Sequence, residues 1–329
     1  MKYTNKKRMG SPIKILIFIL FNILSISVHS SSNEELRSSI NKGTVGIVAG
    51  SVAGTYSRFA QDLSNVVDEI GDIRVIAMLG KGSQQNIYDL LFLRGVDLAI
   101  VQSDVLQALS ENPPVPNLKD KIRYITKLYD EEVHIVAKRD IFSIKQLAGA
   151  RVSVGNKGSG TNMTARVLFD ALDIPVNFIN QPITEAKSEL LSGNIDAIVY
   201  VAGKPVSTFE TFTKEDDVRL IKFEMEKQLS DAGYISGNFT KDDYPALVGD
   251  EPVPTVSVGA ILSVYNWPQD DDPTGRYKKI SRMAKKILNT LPLLKEERYH
   301  KKWKDVDPNF VLPAWKRFKP AEDWLSGSL

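Results

Sequence analysis

The chain contains no cysteine. That excludes disulfides, thiolate metal sites, cysteine nucleophiles and a lipid-anchored N-terminal cysteine. Histidine is nearly missing too: His29, His134 and His300 are the only ones in 329 residues. A multi-histidine zinc site cannot be assembled from so few, and a Ser-His-Asp triad has little to draw on. Long apolar runs are equally scarce. The longest, Ile15 to Val28, falls short of the ~20 apolar residues that a membrane span needs, and Asn22 interrupts it. No internal repeat, heptad or low-complexity tract is visible.

What is present near the start reads as a secretory signal over residues 1–30. Basic residues come first, the apolar run follows, and Val28 and Ser30 suit the positions three and one before a cleavage point. His29 falls within this segment, and residues 31–42 read as a linker. Export to the periplasm is therefore expected. Lys2, Lys6, Lys7, Arg8 and Lys14 give the first thirty residues a charge of +5, so the +2 of the whole chain leaves −3 for the rest. A mildly acidic body argues against a nucleic-acid partner. Hydrophobic content of 43% and charged content of 25% are ordinary for a soluble globular protein.

From Thr44 onward, short apolar strands alternate with amphipathic helices, the α/β pattern. TVGIVAG, RVIAML and VDLAIVQ read as strands. Phe59, Leu63, Val66, Val67 and Ile70 recur at helical spacing, and NIYDLLFLRG and SDVLQALS read as further helices. KIRYITKLY and VHIVAK read as two more strands. A second α/β run begins near Asp140, with the strands RVSVG and IDAIVYVAG around the helix NMTARVLFDALD. TVSVGAILSVY is long enough to pass from one domain to the next. Two lobes joined by a hinge of two strands are expected: residues 43–138 with 256–329, and residues 139–255. The crossings are expected near Ala137–Asp140 and near Thr255.

Three segments share one design: a strand, a loop of Gly with Ser, Thr or Asn, then a helix. They are GSVAGTY at 50–56, GKGSQQN at 80–86 and GNKGSGT at 155–161. Such loops leave the first helical N–H groups free and let a ligand approach the backbone at glycines such as Gly54, Gly158 and Gly160. Ser51, Thr55, Ser83, Ser159 and Thr161 add hydroxyls, and each helix start is mildly positive. In an open α/β sheet these loops sit at the carboxyl ends of strands, where ligands bind. Helix starts from both lobes facing one cleft would hold an anion without Arg or Lys. GNKGSGT fits neither G-x-x-x-x-G-K-[ST] nor G-x-G-x-x-G, and its shortness suits a carboxylate better than a triphosphate.

Other residues have plainer expectations. Gln102 and Ser103 sit at the carboxyl end of a strand, within reach of the cleft, while Asp104 reads as the cap of the next helix. Tyr56 offers a hydroxyl or a stacking face to a ligand, or a staple onto the core. Tyr200 ends a strand beside Gly203 and Pro205, which would shape a wall. His134 reads as a satisfied strand histidine and His300 as part of a solvated basic face. Trp303, Trp315 and Trp324 read as clamps for the C-terminus, and DDDP at 270–273 as a solvated loop.

At AGSVAGTY, KGSQQNIYDLLFLRGVDLAIVQSD, LYDEEVHIVAK, IKQLAGARVSVGNKGSGTNMTARVLFDAL and SGNIDAIVYVAGKP the chain resembles the TAXI family. These are solute receptors of tripartite ATP-independent periplasmic (TRAP) transporters. The stretches keep the family's order and cover most of residues 43–206. The resemblance implies a type II periplasmic-binding-protein fold, two α/β lobes closing over a ligand. It implies delivery to the membrane subunits of a cation-coupled secondary transporter, and ligands such as 2-oxoglutarate or glutamate. Carried over, the contacts would be Ser51, Tyr56, Ser83, Asn86, Gln102, Ser159, Gly160 and Thr161. One departure stands out: many members have a double Tyr followed by Pro after the first loop, whereas here Ser57 and Arg58 follow Tyr56. A monomeric binding protein for a small anionic solute, without cofactor, metal or catalysis, is the expectation. A sensor or surface antigen on the same fold, or an enzyme built on it, are the alternatives.

Overall fold

A computed structural model describes residues 33–36 and 43–327, apart from Ala53, residues 70–72 and Asp271. The secretory signal, most of the linker and the Ile70 position lie outside the described residues. Within residues 1–44, residues 33–36 form a helical turn with exposed side chains. No described helix is long and apolar enough to cross a membrane.

From residue 45 the chain builds on one ten-stranded sheet. Its strands are β1 (Thr44–Val48), β2 (Arg74–Met78), β3 (Leu98–Gln102), β4 (Ile122–Lys138), β5 (Arg151–Ser153), β6 (Asn177–Ile179), β7 (Ala197–Ala202), β8 (Val218–Leu220), β9 (Ile235–Phe239) and β10 (Val253–Tyr265). Helices named below are α1 (Thr55–Glu69), α2 (Ser83–Phe92), α3 (Ser103–Glu111), α4 (Gly160–Ala171), α5 (Ile183–Leu191) and α6 (Arg276–Leu294). Strand order is β2-β1-β3-β10-β4-β7-β5-β6, with β8 on β4 and β9 on β10. β1 pairs with β3, and β5 with β6 and β7, in parallel, whereas β10 runs antiparallel to β3, β4 and β9. The run β2-β1-β3-β10-β4, with one strand returned from the far end of the chain, is the type II periplasmic-binding-protein arrangement.

Among the described residues four hydrophobic cores flank this sheet. LAIVQ of β3 is buried along its whole length, which is why its apolar residues run on rather than alternate. α1 lays Phe59, Leu63, Val66 and Val67 against β1 and β3 at a spacing of three and four residues. On the opposite face Ile87, Leu90, Leu106 and Trp315 cluster. Toward the β5–β6 end of the sheet Val152, Leu168 and Val199 form one core, and Phe209, Phe239 and Tyr244 another. β4 gives Ile125, Leu128 and Tyr129 to the core under α1 and Val133, Ile135 and Ala137 to the core around Val152. β10 does the same with Ala260, Leu262 and Val264 on one side and Val256 and Val258 on the other.

Several sequence expectations need correction. KIRYITKLY and VHIVAK are not two strands but one strand of 17 residues, β4. The acids between them broke the apolar pattern without breaking the strand. α2 begins at Ser83 and ends at Phe92, earlier at both ends than NIYDLLFLRG suggests. His300 is not on a solvated face: it packs beside Phe59 (ring centroids 5.5 Å apart), and its Nδ1 accepts the Lys302 amide at 3.2 Å. Asp272 caps the start of α6 by accepting the Arg276 amide at 2.8 Å.

The tryptophan expectation fits Trp303, which is fully buried, stacks on Phe59 at 4.1 Å and donates to Asp62 at 2.8 Å. His134 is likewise a satisfied strand histidine. The Tyr244 hydroxyl accepts the Val206 amide at 2.7 Å, so its own hydrogen goes to His134 Nε2, also at 2.7 Å. Nδ1 then carries the ring hydrogen and donates to the Glu132 carbonyl at 2.9 Å. Burial holds this neutral ring down at about 3.

Two predictions follow from this packing. Trp303→Ala should lower the unfolding free energy by about 3–5 kcal/mol, read from urea denaturation. For His134, a folded value below the unfolded one (about 6.5) means that the unfolded chain binds the extra proton. Stability is then full above pH ~6.5 and falls on acidification toward pH 3, at up to about 1.4 kcal/mol per pH unit. In His134→Gln that part of the acid slope should vanish from denaturation curves taken between pH 7 and 5.

Candidate functional site

The three glycine loops line one cavity of about 420 Å3, within the roughly 300–1,000 Å3 of small-molecule sites. β1 ends in Gly50 and Ser51 and leads to α1; β2 ends near Lys81 and Gly82 and leads to α2; β5 leads through Gly155 and Asn156 to α4. The first two loops are tied by the Gly80 amide, which donates to the Gly50 carbonyl at 3.1 Å. The second and third touch directly: the Gln85 amide donates to the Gly158 carbonyl at 3.1 Å.

Glycine is required where these loops meet. Gly82 has φ of 110°, a conformation that other residues rarely adopt, and a Cβ on it would stand 3.1 Å from Ser159 Cα. Gly160, at the start of α4, lies against β3. A Cβ there would fall 1.7 Å from Gln102 Oε1 and 2.7 Å from Ser83 Oγ. Ser159 caps α4, its Oγ accepting the Asn162 amide at 3.1 Å.

Of the residues singled out in the sequence, Ser51, Gly54, Tyr56, Ser83, Gln102, Ser159, Gly160 and Thr161 line this cavity. Three do not. Asn86 is buried behind the wall, donating to the carbonyls of Ala49 (2.5 Å) and Ile100 (2.8 Å), so it braces β1 against β3. Gly158 offers its carbonyl to Gln85, and Pro205 follows a cis peptide beyond the end of β7. Thr55 and Tyr200 join the lining, whereas Ser103 turns away to accept the Gly259 amide at 3.0 Å. Arg58 is exposed and does not line the cavity. Asp104 is not a cap as expected: Gln102 holds that position, and Asp104 receives Thr164 (2.6 Å) and Tyr234 (3.1 Å) hydroxyls.

Two features escaped the sequence. Gln181 and Pro182, which follow β6, and Ile183 and Thr184, which open α5, supply a fourth wall. A strand of three residues carries no periodicity, so nothing marked it. The second is Glu131, which is 3% exposed and lines the cavity. It lies between KIRYITKLY and VHIVAK, the two segments that read as separate strands. Successive side chains of a strand point to opposite faces, so Glu132 turns away and pairs with Lys302 Nζ at 2.8 Å.

Glu131 is bound into a chain of side chains. Tyr56 donates its one hydroxyl hydrogen to Glu131 Oε2 at 2.7 Å. Ser83 Oγ lies 3.1 Å from the Tyr56 oxygen and accepts the Gln102 amide at 3.1 Å, so Ser83 donates to Tyr56. Burial pushes the Glu131 carboxyl up to about 8; hydrogen bonds from Tyr56 and Gln102 oppose the rise, and the charges of Asp104 and Glu132 add to it. Burial, then the charge of Glu131, raises the Tyr56 phenol well above its ordinary value. Apart from Glu131 the only charged residue in the lining is Lys81, which is exposed. The remaining polar groups are backbone amides, amide side chains and hydroxyls.

Residues 47–308 match the model of the NMT1-like family, and the chain belongs to that family. Among solved structures it is similar to one described as a periplasmic transporter: identity 11%, coverage 86% of this chain and 93% of that one, TM-score 0.49. It is similar to the GluR0 ligand-binding core from Nostoc punctiforme in complex with L-glutamate: identity 16%, coverage 80% and 99%, TM-score 0.47. It is also similar to an amino acid ABC transporter substrate-binding protein from Streptococcus pneumoniae bound to L-arginine: identity 15%, coverage 82% and 98%, TM-score 0.45.

The close fit at α4 is testable. Gly160→Ala should displace Gln102 and Ser83 and lower stability by about 1–3 kcal/mol. Gly249→Ala, where an added Cβ meets nothing within 4 Å, should change it by less than about 0.5 kcal/mol. Chemical denaturation of both variants reads the difference.

Proposed function

We propose that this chain is an extracytoplasmic solute receptor that captures a small carboxylate-bearing molecule and hands it to a membrane transporter. The observation that carries the reading is the meeting of three helix starts, α1, α2 and α4, around one cavity. Free N–H groups and hydroxyls there offer a preorganised place for a negative group, with no Arg or His among the lining residues. A carboxylate held in this way would accept from the amides of Gly160 and Thr161 and from hydroxyls such as Ser51 and Ser159.

In the finer reading, the receptor is of the TAXI type and serves the membrane subunits of a TRAP transporter. Its secretory signal directs it to the periplasm, where it acts as a monomer without catalysis. The lobes close by bending at β4 and β10. Because the cores change hands between Tyr129 and Val133 and between Val258 and Ala260, we place the hinge there. Ligand contacts bias the open–closed equilibrium by their preference for the closed form.

The test is a thermal-shift panel of dicarboxylates, keto acids and amino acids on protein stripped of endogenous ligand. A solute at a hundred times its Kd should add about 2.7 kcal/mol and raise Tm by several degrees. Scattering should show compaction with the same solute. If no member of the panel shifts the melt, the binding role is wrong. Uptake of the cognate solute by cells lacking the chain separates transport, which should be lost, from sensing, which should not.

A further inference from the structure

We infer that Glu131 pairs with a cationic group of the captured solute, which makes the ligand a compact zwitterion carrying an ammonium as well as a carboxylate. This rests on the proposed binding role of the cavity and goes further by choosing among carboxylate classes.

The geometry of adjacent residues carries the argument. Glu131 and Glu132 are 3% and 5% exposed. The fold neutralises Glu132 with Lys302 and satisfies it further with the Lys204 amide at 3.0 Å. Glu131 has no ion pair among the described residues. Tyr56 from α1 and Gln102 from β3 hydrogen-bond to it, and Asp104 from α3, Glu132 and Tyr129 from its own strand and Tyr200 from β7 interact with its charge. None is cationic, and Lys81, the cavity's one cation, is exposed. A buried carboxylate without a partner is costly, and the fold leaves its partner's place open toward a ligand cavity.

Tyr56 and Gln102 both hydrogen-bond to the carboxyl, which favours its ionised form against burial. The balance sits at about 8. A cation set against Glu131 drives the proton off. Binding of an ammonium therefore releases a proton, and affinity rises with pH toward 8, by at most about tenfold per pH unit. A dicarboxylate or keto acid does the reverse: it leaves Glu131 protonated and loses affinity as pH rises toward and past 8.

The experiment is calorimetric titration of the stripped protein at pH 6, 7 and 8. The probes are the twenty standard L-amino acids on one side and pyruvate, 2-oxoglutarate, succinate and malate on the other. The expected result is an amino acid that binds about tenfold or more tightly than its counterpart lacking the ammonium, with affinity rising from pH 6 to 8. Glu131→Gln should weaken it by about tenfold or more and flatten the pH dependence, while Glu131→Asp keeps the rise. Circular dichroism checks that the variants fold; if Glu131→Gln does not, the wild-type pH profile and Glu131→Asp decide. The inference is overturned if keto acids or dicarboxylates bind in preference, if affinity falls with pH, or if Glu131→Gln binds as well as wild type. Those outcomes leave the binding role intact. Binding by no probe of either class overturns both.

Discussion

The pairing of β4 with β10 is the constraint on which the rest depends. The two strands run antiparallel from Ser257 opposite Glu132 to Tyr265 opposite Ile122, with irregular register at Ala260–Ile261 and Leu262–Ser263. At Glu132 and Ser257 each strand also meets a further partner, β4 meeting β7 and β10 meeting β9. One pair of strands thus serves two cores. Where the chain passes from one to the other, its side chains need not be apolar. That is where Glu131 and Glu132 stand, one turned to the cavity and the other to Lys302.

The α/β character and most strands of the first 110 residues were legible because they are regular. β1 and β3 are dense in Val and Ile, and α1 repeats its apolar residues at helical spacing. One loop of Gly beside Ser and Thr, between a strand and a helix, suits a plain helix cap; the site was legible because three such loops recur. Their convergence was only an expectation, since sequence spacing does not say which strand ends are neighbours. β4 was misread for the reason that makes it informative: charged residues in a central strand contradict the local rule, and such contradictions gather at functional sites. Asn86 was misassigned because a polar residue just after a glycine loop suits a ligand contact and a buried brace equally well. Its contacts with Ala49 and Ile100 could not be read from spacing.

Electrostatically the cavity is two-sided. Helix starts contribute partial positive charge without a titratable group, and that contribution does not change with pH. Glu131 contributes a charge that does. Burial and the neighbouring acids hold it near neutrality, while Tyr56 and Gln102 pull toward ionisation. A site of this kind distinguishes solutes by the sign and position of their charges more than by their size. It does so with fixed amides, whose reorganisation cost on binding is small.

The most direct test of the central claim is a structure of the protein with its endogenous or selected solute bound. The account predicts a solute carboxylate at the amides and hydroxyls of Ser159, Gly160 and Thr161, enclosed beneath Tyr56 in the cavity that the three loops share. A solute lodged elsewhere on the molecule, with those amides left to water, would contradict it.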